Sequence, residues 1–281
     1  MIADLHCHTS LSDGSMSLDD LIFYASRAGL DCIAVTDHDT MDGVSRAAEL
    51  GERHGIKVIP AAEISCYDKK RRKKVHILCY MPDRTEGLQL LFDRILRKRT
   101  EAGNMAIQDV TRLFPVTEEH ISRYTAASKS IYRSHIMRAL IDLGYDVKIY
   151  GELYTKLFDR ETGSCYHGFE YPDVLEVLDE IRLAGGIAVL AHPLVYDSVD
   201  LLSELAKGKR IQGVEVFHPS AGEAAAGRIG AVADQYGLIK TGGSDFHGCN
   251  TGSPRQIASR VTDDAAIKAL LSLKGSAINL L

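Results

Sequence analysis

Short apolar runs alternate with amphipathic stretches along most of the chain. Residues 2–7, 32–36, 58–65, 75–81, 187–191, 213–217 and 238–243 read as strands, with a last short one at 277–280. Residues 17–28, 43–54, 171–184, 199–207, 222–236 and 263–271 carry apolar positions at helical spacing. Ser17 offers a capping oxygen at the start of the first helix. Gly29 and Gly55 supply the left-handed stop after the first two helices, and Gly185-Gly186 ends the helix of 171–184. Between Leu88 and about Leu157 the pattern is helical throughout, with no strand signal. Repeated strand–helix units imply a parallel sheet, and this many of them predict a closed or nearly closed α/β barrel. The helical block interrupts the alternation. The expected organisation is therefore a barrel from residues 1–84 and 171–281, with residues 85–170 inserted as a helical cap over one face.

Length and composition narrow the picture. A chain of 281 residues with 45% apolar side chains can build a large core without disulfide or metal staples. The net charge of −5 gives no global field for nucleic acid, so any attraction for polyanions is local. The one strong basic run, Lys69-Lys70-Arg71-Arg72-Lys73-Lys74, reads first as a solvated hairpin tip, with steering of polyanionic substrates as the lesser reading. Six scattered cysteines without a C-x-x-C pair argue against a zinc ribbon or a disulfide framework and fit a reducing cytoplasm. No signal peptide and no membrane-spanning run is apparent.

The chemistry lies in where the histidines and carboxylates fall. His6-x-His8 closes the first strand, and residues i and i+2 of a strand point the same way, so both imidazoles can reach one ion. Asp13 follows in the next loop. Asp37-His38-Asp39 closes the second strand, Glu63 the third, His192 a later one, and Asp245-x-His247 another. The C-terminal ends of barrel strands are where such enzymes build their sites. His76 instead starts its strand, and it joins the group if strands 58–65 and 75–81 form an antiparallel pair. A lone H-x-H or D-x-H is weak evidence, and any one of these histidines alone reads as a core residue. Six of the eleven histidines at strand ends with acidic neighbours is another matter. Neutral imidazole with carboxylate suits zinc, manganese or iron. Nine such groups exceed the roughly four to six ligands of one ion, so two or three divalent ions are expected. Paired ions suit phosphoryl transfer, because they activate water and neutralise charge on the attacking and leaving oxygens.

Other residues are less pointed. His218, ending the strand 213–217, reads as a support, a substrate contact or a general acid. Glu215 reads as structural. Asp37 reads as a partner that orients a ligand imidazole. His54, His120 and His167 read as ordinary surface or helix histidines.

His6-Cys7-His8, Thr36-Asp37-His38, Glu63, His76, Ala191-His192-Pro193 and Gly243-Ser244-Asp245-Phe246-His247 together resemble the successive motifs of the PHP (polymerase and histidinol phosphatase) superfamily. The resemblance implies a distorted (β/α)7 barrel with a trinuclear metal site. It assigns His6, His8, Glu63 and Asp245 to one ion, and Glu63, His76 and His192 to a second. Asp13, His38 and His247 go to a third, with Asp13 standing where some relatives carry histidine. In the block 85–170, Arg133-Ser134-His135 and Leu140-Ile141-Asp142-Leu143-Gly144 resemble the cap of the branch that hydrolyses nucleoside 3′,5′-bisphosphates and trims short RNA from its 5′ end. In that branch the residues at Arg133 and His135 face the substrate phosphate. Position two residues apart would not put this pair on one face of a helix, so a loop or helix start suits them better. The implied activity is hydrolysis of nucleotide phosphomonoesters such as 3′-phosphoadenosine 5′-phosphate or AMP, with short oligoribonucleotides as a related substrate and inorganic phosphate as product. His192 and His218 are the candidate acids for the leaving group. No membrane and no obligate protein partner is expected. The alternatives are histidinol-phosphate phosphatase, a C–N hydrolase of the related amidohydrolase barrels, and a non-catalytic metal-binding PHP regulatory domain.

Overall fold

Seven strands follow one another round a single sheet in chain order, β1 (Ala3–Cys7), β2 (Cys32–Val35), β3 (Lys57–Asp68), β4 (Lys73–Tyr80), β5 (Ile187–Leu190), β6 (Gly213–Phe217) and β7 (Ile239–Gly242). The computed structural model describes residues 1–253 and 255–275, so the strand expected at 277–280 lies outside the described residues. β1–β2–β3 and β5–β6–β7 run parallel, whereas β4 is antiparallel to both β3 and β5. The segment after β7 brings the two ends of the sheet together: the Asp245 N–H donates to the His6 carbonyl at 2.8 Å and the His8 N–H to the Phe246 carbonyl at 2.9 Å. A nearly closed, distorted barrel of the TIM type results.

Local signals explain most of the helices. α1 (Leu18–Arg27) starts where the Ser17 hydroxyl accepts the Asp20 N–H, and α2 (Val44–His54) ends at Gly55 in the left-handed conformation. α7 (Val174–Leu183) begins later than its apolar pattern suggests. Pro172 keeps the residue before it extended, and Asp173 takes the cap. α8 (Val199–Lys207), α9 (Glu223–Tyr236) and α10 (Asp264–Ser272) complete the outer layer. Between β4 and α7 come only helices: α3 (Glu86–Leu113), α4 (Glu118–Thr125), α5 (Arg133–Asp142) and α6 (Glu152–Phe158).

Burial follows the same division. Leu5, Ala34, Ile59, Leu78 and Val189 pack with Ile267 and Leu270 of α10 in one apolar cluster, where the Tyr80 hydroxyl donates to the Leu5 carbonyl at 2.8 Å. Each leucine, isoleucine or valine among them contributes about 1.5–3 kcal/mol on burial. Other clusters join β1–β3 to α1 and α2, and β3–β6 to α3 and α7–α9. Val110, Ile121, Ile136, Leu140 and Phe158 form a separate cluster among α3–α6.

The β3–β4 hairpin is longer than its apolar run because its tip is polar. The Asp68 carboxylate accepts the N–H groups of Lys70 and Arg71, closing the turn. Lys70 and Arg71 pair with Glu204 of α8, and Lys73 with Asp197. Half of the basic run thus fastens the hairpin tip to its neighbours by ion pairs.

Candidate metal centre

Strand ends, the β3–β4 hairpin and the adjoining loops deliver nine side chains to one rim. β1 places His6 and His8 on the same side, and Glu63 of β3 reaches both: Oε2 lies 3.2 Å from each Nε2. Asp245, after β7, sets Oδ1 3.5 Å from His6 Nε2 and 3.4 Å from His8 Nε2. The antiparallel register pairs His76 with Ser65, two residues beyond Glu63, and Glu63 Oε1 then stands 2.9 Å from His76 Nδ1 and 2.7 Å from His192 Nε2. Asp13 lies 3.2 Å from His247 Nε2 and 3.8 Å from His38 Nε2, and His38 Nδ1 is 3.2 Å from Glu63 Oε2. Donor atoms of His8, Asp13, His38 and His247 all lie within 4.8 Å of one another, as do those of His6, His8 and Asp245, of His6, Glu63 and His192, and of His38, Glu63 and His76.

The donor set fits bound cations. His6 Nε2, both nitrogens of His8, His38 Nδ1, His192 Nδ1 and Glu63 Oε2 are buried without a hydrogen-bond partner among the described residues. Unpartnered buried polar atoms are costly, and a cluster of them on imidazole and carboxylate is what divalent ions satisfy. Burial by itself would raise the carboxyls of Glu63 and Asp245, yet the surrounding imidazoles hold both well below the usual carboxylate range. Burial would lower His8, but the facing carboxylates of Asp245 and Glu63 lift it to about 10. Three residues at the rim, Asp39, His192 and Asp245, have φ of +56°, +23° and +49°, a backbone strain typical of functional sites. Gly243 is required here for a simple reason: a Cβ would stand 2.3 Å from the His6 Cβ.

Two supporting residues differ from the sequence expectation, and a third falls on one of its open alternatives. Glu215, taken as structural, accepts from His6 Nδ1 at 3.0 Å and from the His192 N–H at 2.8 Å, so it sets the His6 tautomer with Nε2 free for an ion. A lone carboxylate inside the apolar strand Gly213–Phe217 was the available signal. Asp37 does not orient an imidazole. It accepts from the Thr9 N–H and hydroxyl at 2.8 and 2.7 Å, and so shapes the loop carrying His8 and Asp13. His218 sits behind Asp245, with Nε2 3.1 Å from Oδ2, while the Ser220 N–H donates to its Nδ1. Both nitrogens of His218 are thus engaged, and it has no place in the cavity wall.

Above the cluster lies a cavity of about 530 Å³, its floor made by Asp13, His38, Glu63, His76, His192, Asp245 and His247 and its walls partly by α3, α5 and the chain around α6. Arg133 is the first residue of α5 and lines this cavity, its guanidinium 4.6 Å from the Tyr166 ring centre. The helix start expected for the Arg133–His135 pair is what the structure has, but it separates their roles. His135 is 1% exposed, its Nδ1 accepts the Tyr132 N–H at 3.4 Å, and it is not part of the cavity wall. His167, read as ordinary, lines the cavity and pairs with Asp109 at 2.6 Å. Arg99, which the sequence did not flag, is buried against Asp39 at 2.6 Å and reaches Tyr132, whose hydroxyl donates to the His38 carbonyl.

Comparison with known proteins agrees with this geometry. The family model of the PHP domain matches residues 4–186. A phosphoribosyl 1,2-cyclic phosphate 1,2-diphosphodiesterase of Eggerthella lenta is 36% identical over 88% of this chain and 95% of its own. A 3′,5′-nucleoside bisphosphate phosphatase of Chromobacterium violaceum is 29% identical over 87% of this chain and 86% of its own. Among solved structures, one from Bifidobacterium adolescentis described as a metal-dependent phosphoesterase superposes with a TM-score of 0.86, at 27% identity over 96% of each chain. Motifs, barrel and relatives coincide, and the chain belongs to the PHP domain family as a hydrolase of its metal-dependent phosphoesterase kind.

Proposed function

We propose that this hydrolase acts on nucleotide phosphomonoesters, with a nucleoside 3′,5′-bisphosphate or AMP as the type and short oligoribonucleotides as a related substrate. The observation that carries the reading is the juxtaposition of nine metal-type donors with a cavity wall that presents Arg133. The donors divide among three ions: His6, His8, Glu63 and Asp245 for one, Glu63, His76 and His192 for another, Asp13, His38 and His247 for the third. Manganese, zinc or iron(II) suits this mixture of imidazole and carboxylate. Such ions supply activated water, a grip on the ester and neutralisation of the charge that develops on phosphorus oxygens. Glu63 and Asp245 lend the negative charge that holds cations side by side. Glu215 and His218 keep His6 and Asp245 in their ligating orientation. Arg133 binds non-bridging phosphate oxygens through its planar fork. Residues 85–170 act as the substrate-recognition cap over the barrel of 1–84 and 171–281, and Tyr150 and Tyr154 in the cavity wall offer faces for a base. Among the described residues no helix is long and apolar enough to cross a membrane, and five buried free thiols suit a reducing cytoplasm.

A second reading has a specific observation behind it. The Eggerthella relative is the more similar of the two enzymes, and its printed substrate is a cyclic phosphodiester of a phosphoribosyl group. Turnover of AMP, adenosine 3′,5′-bisphosphate and a phosphoribosyl 1,2-cyclic phosphate, each with added manganese and followed by chromatography of the products because ring opening alone releases no phosphate, separates the readings. The proposal expects the nucleotides to be turned over, abolition by chelation, recovery with manganese, and loss in Asp245→Ala. Turnover of the cyclic ester alone would replace it by the second reading, and full activity in Asp245→Ala would overturn the ligand assignment.

A further inference from the structure

Four cations line the cavity: Lys74, Arg99, Arg133 and Arg255. Two are already neutralised, Arg99 by Asp39 and Arg255 by Asp245. Among the described residues, Lys74 and Arg133 have no carboxylate partner. Both rest on aromatic rings instead, Lys74 Nζ at 4.9 Å from the Tyr171 centre and 5.7 Å from that of Tyr196, Arg133 on Tyr166. Lys74 differs in this from Lys70, Arg71 and Lys73 of the same basic run, which pair with Glu204, Asp68 and Asp197.

Strand geometry fixes where Lys74 points. It stands two residues before His76 on β4, so it shares the face of that ligand and lies about 7 Å further out toward the hairpin tip. The Tyr196 ring bridges the two levels, edge-on to His76 at 4.9 Å and to His192 at 5.7 Å. Burial would raise the Tyr171 hydroxyl, yet Lys74, Arg99 and Arg133 hold it below the ordinary phenol range, so Lys74 and Arg133 act on one phenol from their two elements. An unpaired, half-buried ammonium beside a cation-lined cavity is a place for an anion.

We propose that Lys74, backed by Tyr171 and Tyr196, binds a second phosphate of the substrate, outboard of the phosphate at the metal centre, and so makes the enzyme selective for compounds carrying two phosphates. The proposal rests on the nucleotide reading for the identity of the substrate, but its test does not require that the nucleotide be turned over. Hydrolysis of para-nitrophenyl phosphate by the manganese-loaded enzyme is measured with adenosine 3′,5′-bisphosphate or AMP as competitor. In the wild type the bisphosphate is expected to compete at least about tenfold better than AMP, the size of one charge-assisted contact. In Lys74→Gln that advantage falls to about threefold or less, while kcat/KM on para-nitrophenyl phosphate stays within about twofold, and Lys74→Arg restores most of the advantage. No advantage in the wild type, an undiminished one in Lys74→Gln, or an equal loss on para-nitrophenyl phosphate would each overturn the proposal. A Lys74-dependent advantage for a bisphosphate that is bound but never hydrolysed would leave the Lys74 site standing and sink the nucleotide reading instead.

Discussion

Glu215 illustrates how much of a metal centre is set one residue away from the ions. Its two oxygens hold the His6 ring and the His192 backbone at once, so exchanging its charge for an amide weakens two ligand positions without opening a cavity. Glu215→Gln is expected to lower metal affinity by about 10–100-fold while the folded spectrum is unchanged. Titration with manganese, followed by calorimetry, checks it, and an unaltered affinity would return Glu215 to a purely structural role. The histidines and carboxylates that meet at this rim were legible in the sequence because i, i+2 spacing and position relative to strands are one-dimensional signals. Glu215 and His218 were read less well, since the one lies behind His6, 209 residues away in the chain, and the other behind Asp245.

At the scale of elements, the link between the long helix α3 and the barrel is a buried ion pair. Arg99 meets Asp39 at 2.6 Å and the Ser65 hydroxyl at 2.9 Å, with both charged side chains under a tenth exposed. Removing Arg99 leaves Asp39 buried without a counter-charge, held only by the Ser65 N–H and hydroxyl, which costs about 3–5 kcal/mol. Arg99→Met is therefore expected to lose that much in urea denaturation, and a loss below about 1 kcal/mol would mean that Asp39 finds water or another partner. The Ser17 cap sits at the opposite extreme. It is local and exposed, and Ser17→Ala is expected to cost about 1 kcal/mol without touching metal binding or activity. The caps of α1 and α2 could be placed from sequence because a cap needs only its own turn. The late start of α7, by contrast, followed Pro172 and Asp173 rather than the apolar pattern.

For the whole molecule, the cluster stitches together β1, β2, β3, β4, β5 and the segment after β7, so cations bound there bind only the folded chain. Saturating manganese at about a hundred times its dissociation constant should add about 2.7 kcal/mol of stability, and chelation should remove it. Calorimetric melting with and without chelator reads this directly, and identical melting temperatures would mean that the ions do not bridge these elements.

The order of strands and helices, the helical interruption and the chemical identity of the ligands are properties of the sequence, because periodicity, caps and residue type are local. The tertiary structure alone decided that β4 runs backwards to bring His76 to the rim, that Glu215 and His218 stand behind His6 and Asp245, and that Lys74 and Arg133 face one cavity with no carboxylate partner among the described residues. Those facts depend on which distant segments become neighbours, and only closure of the barrel settles that.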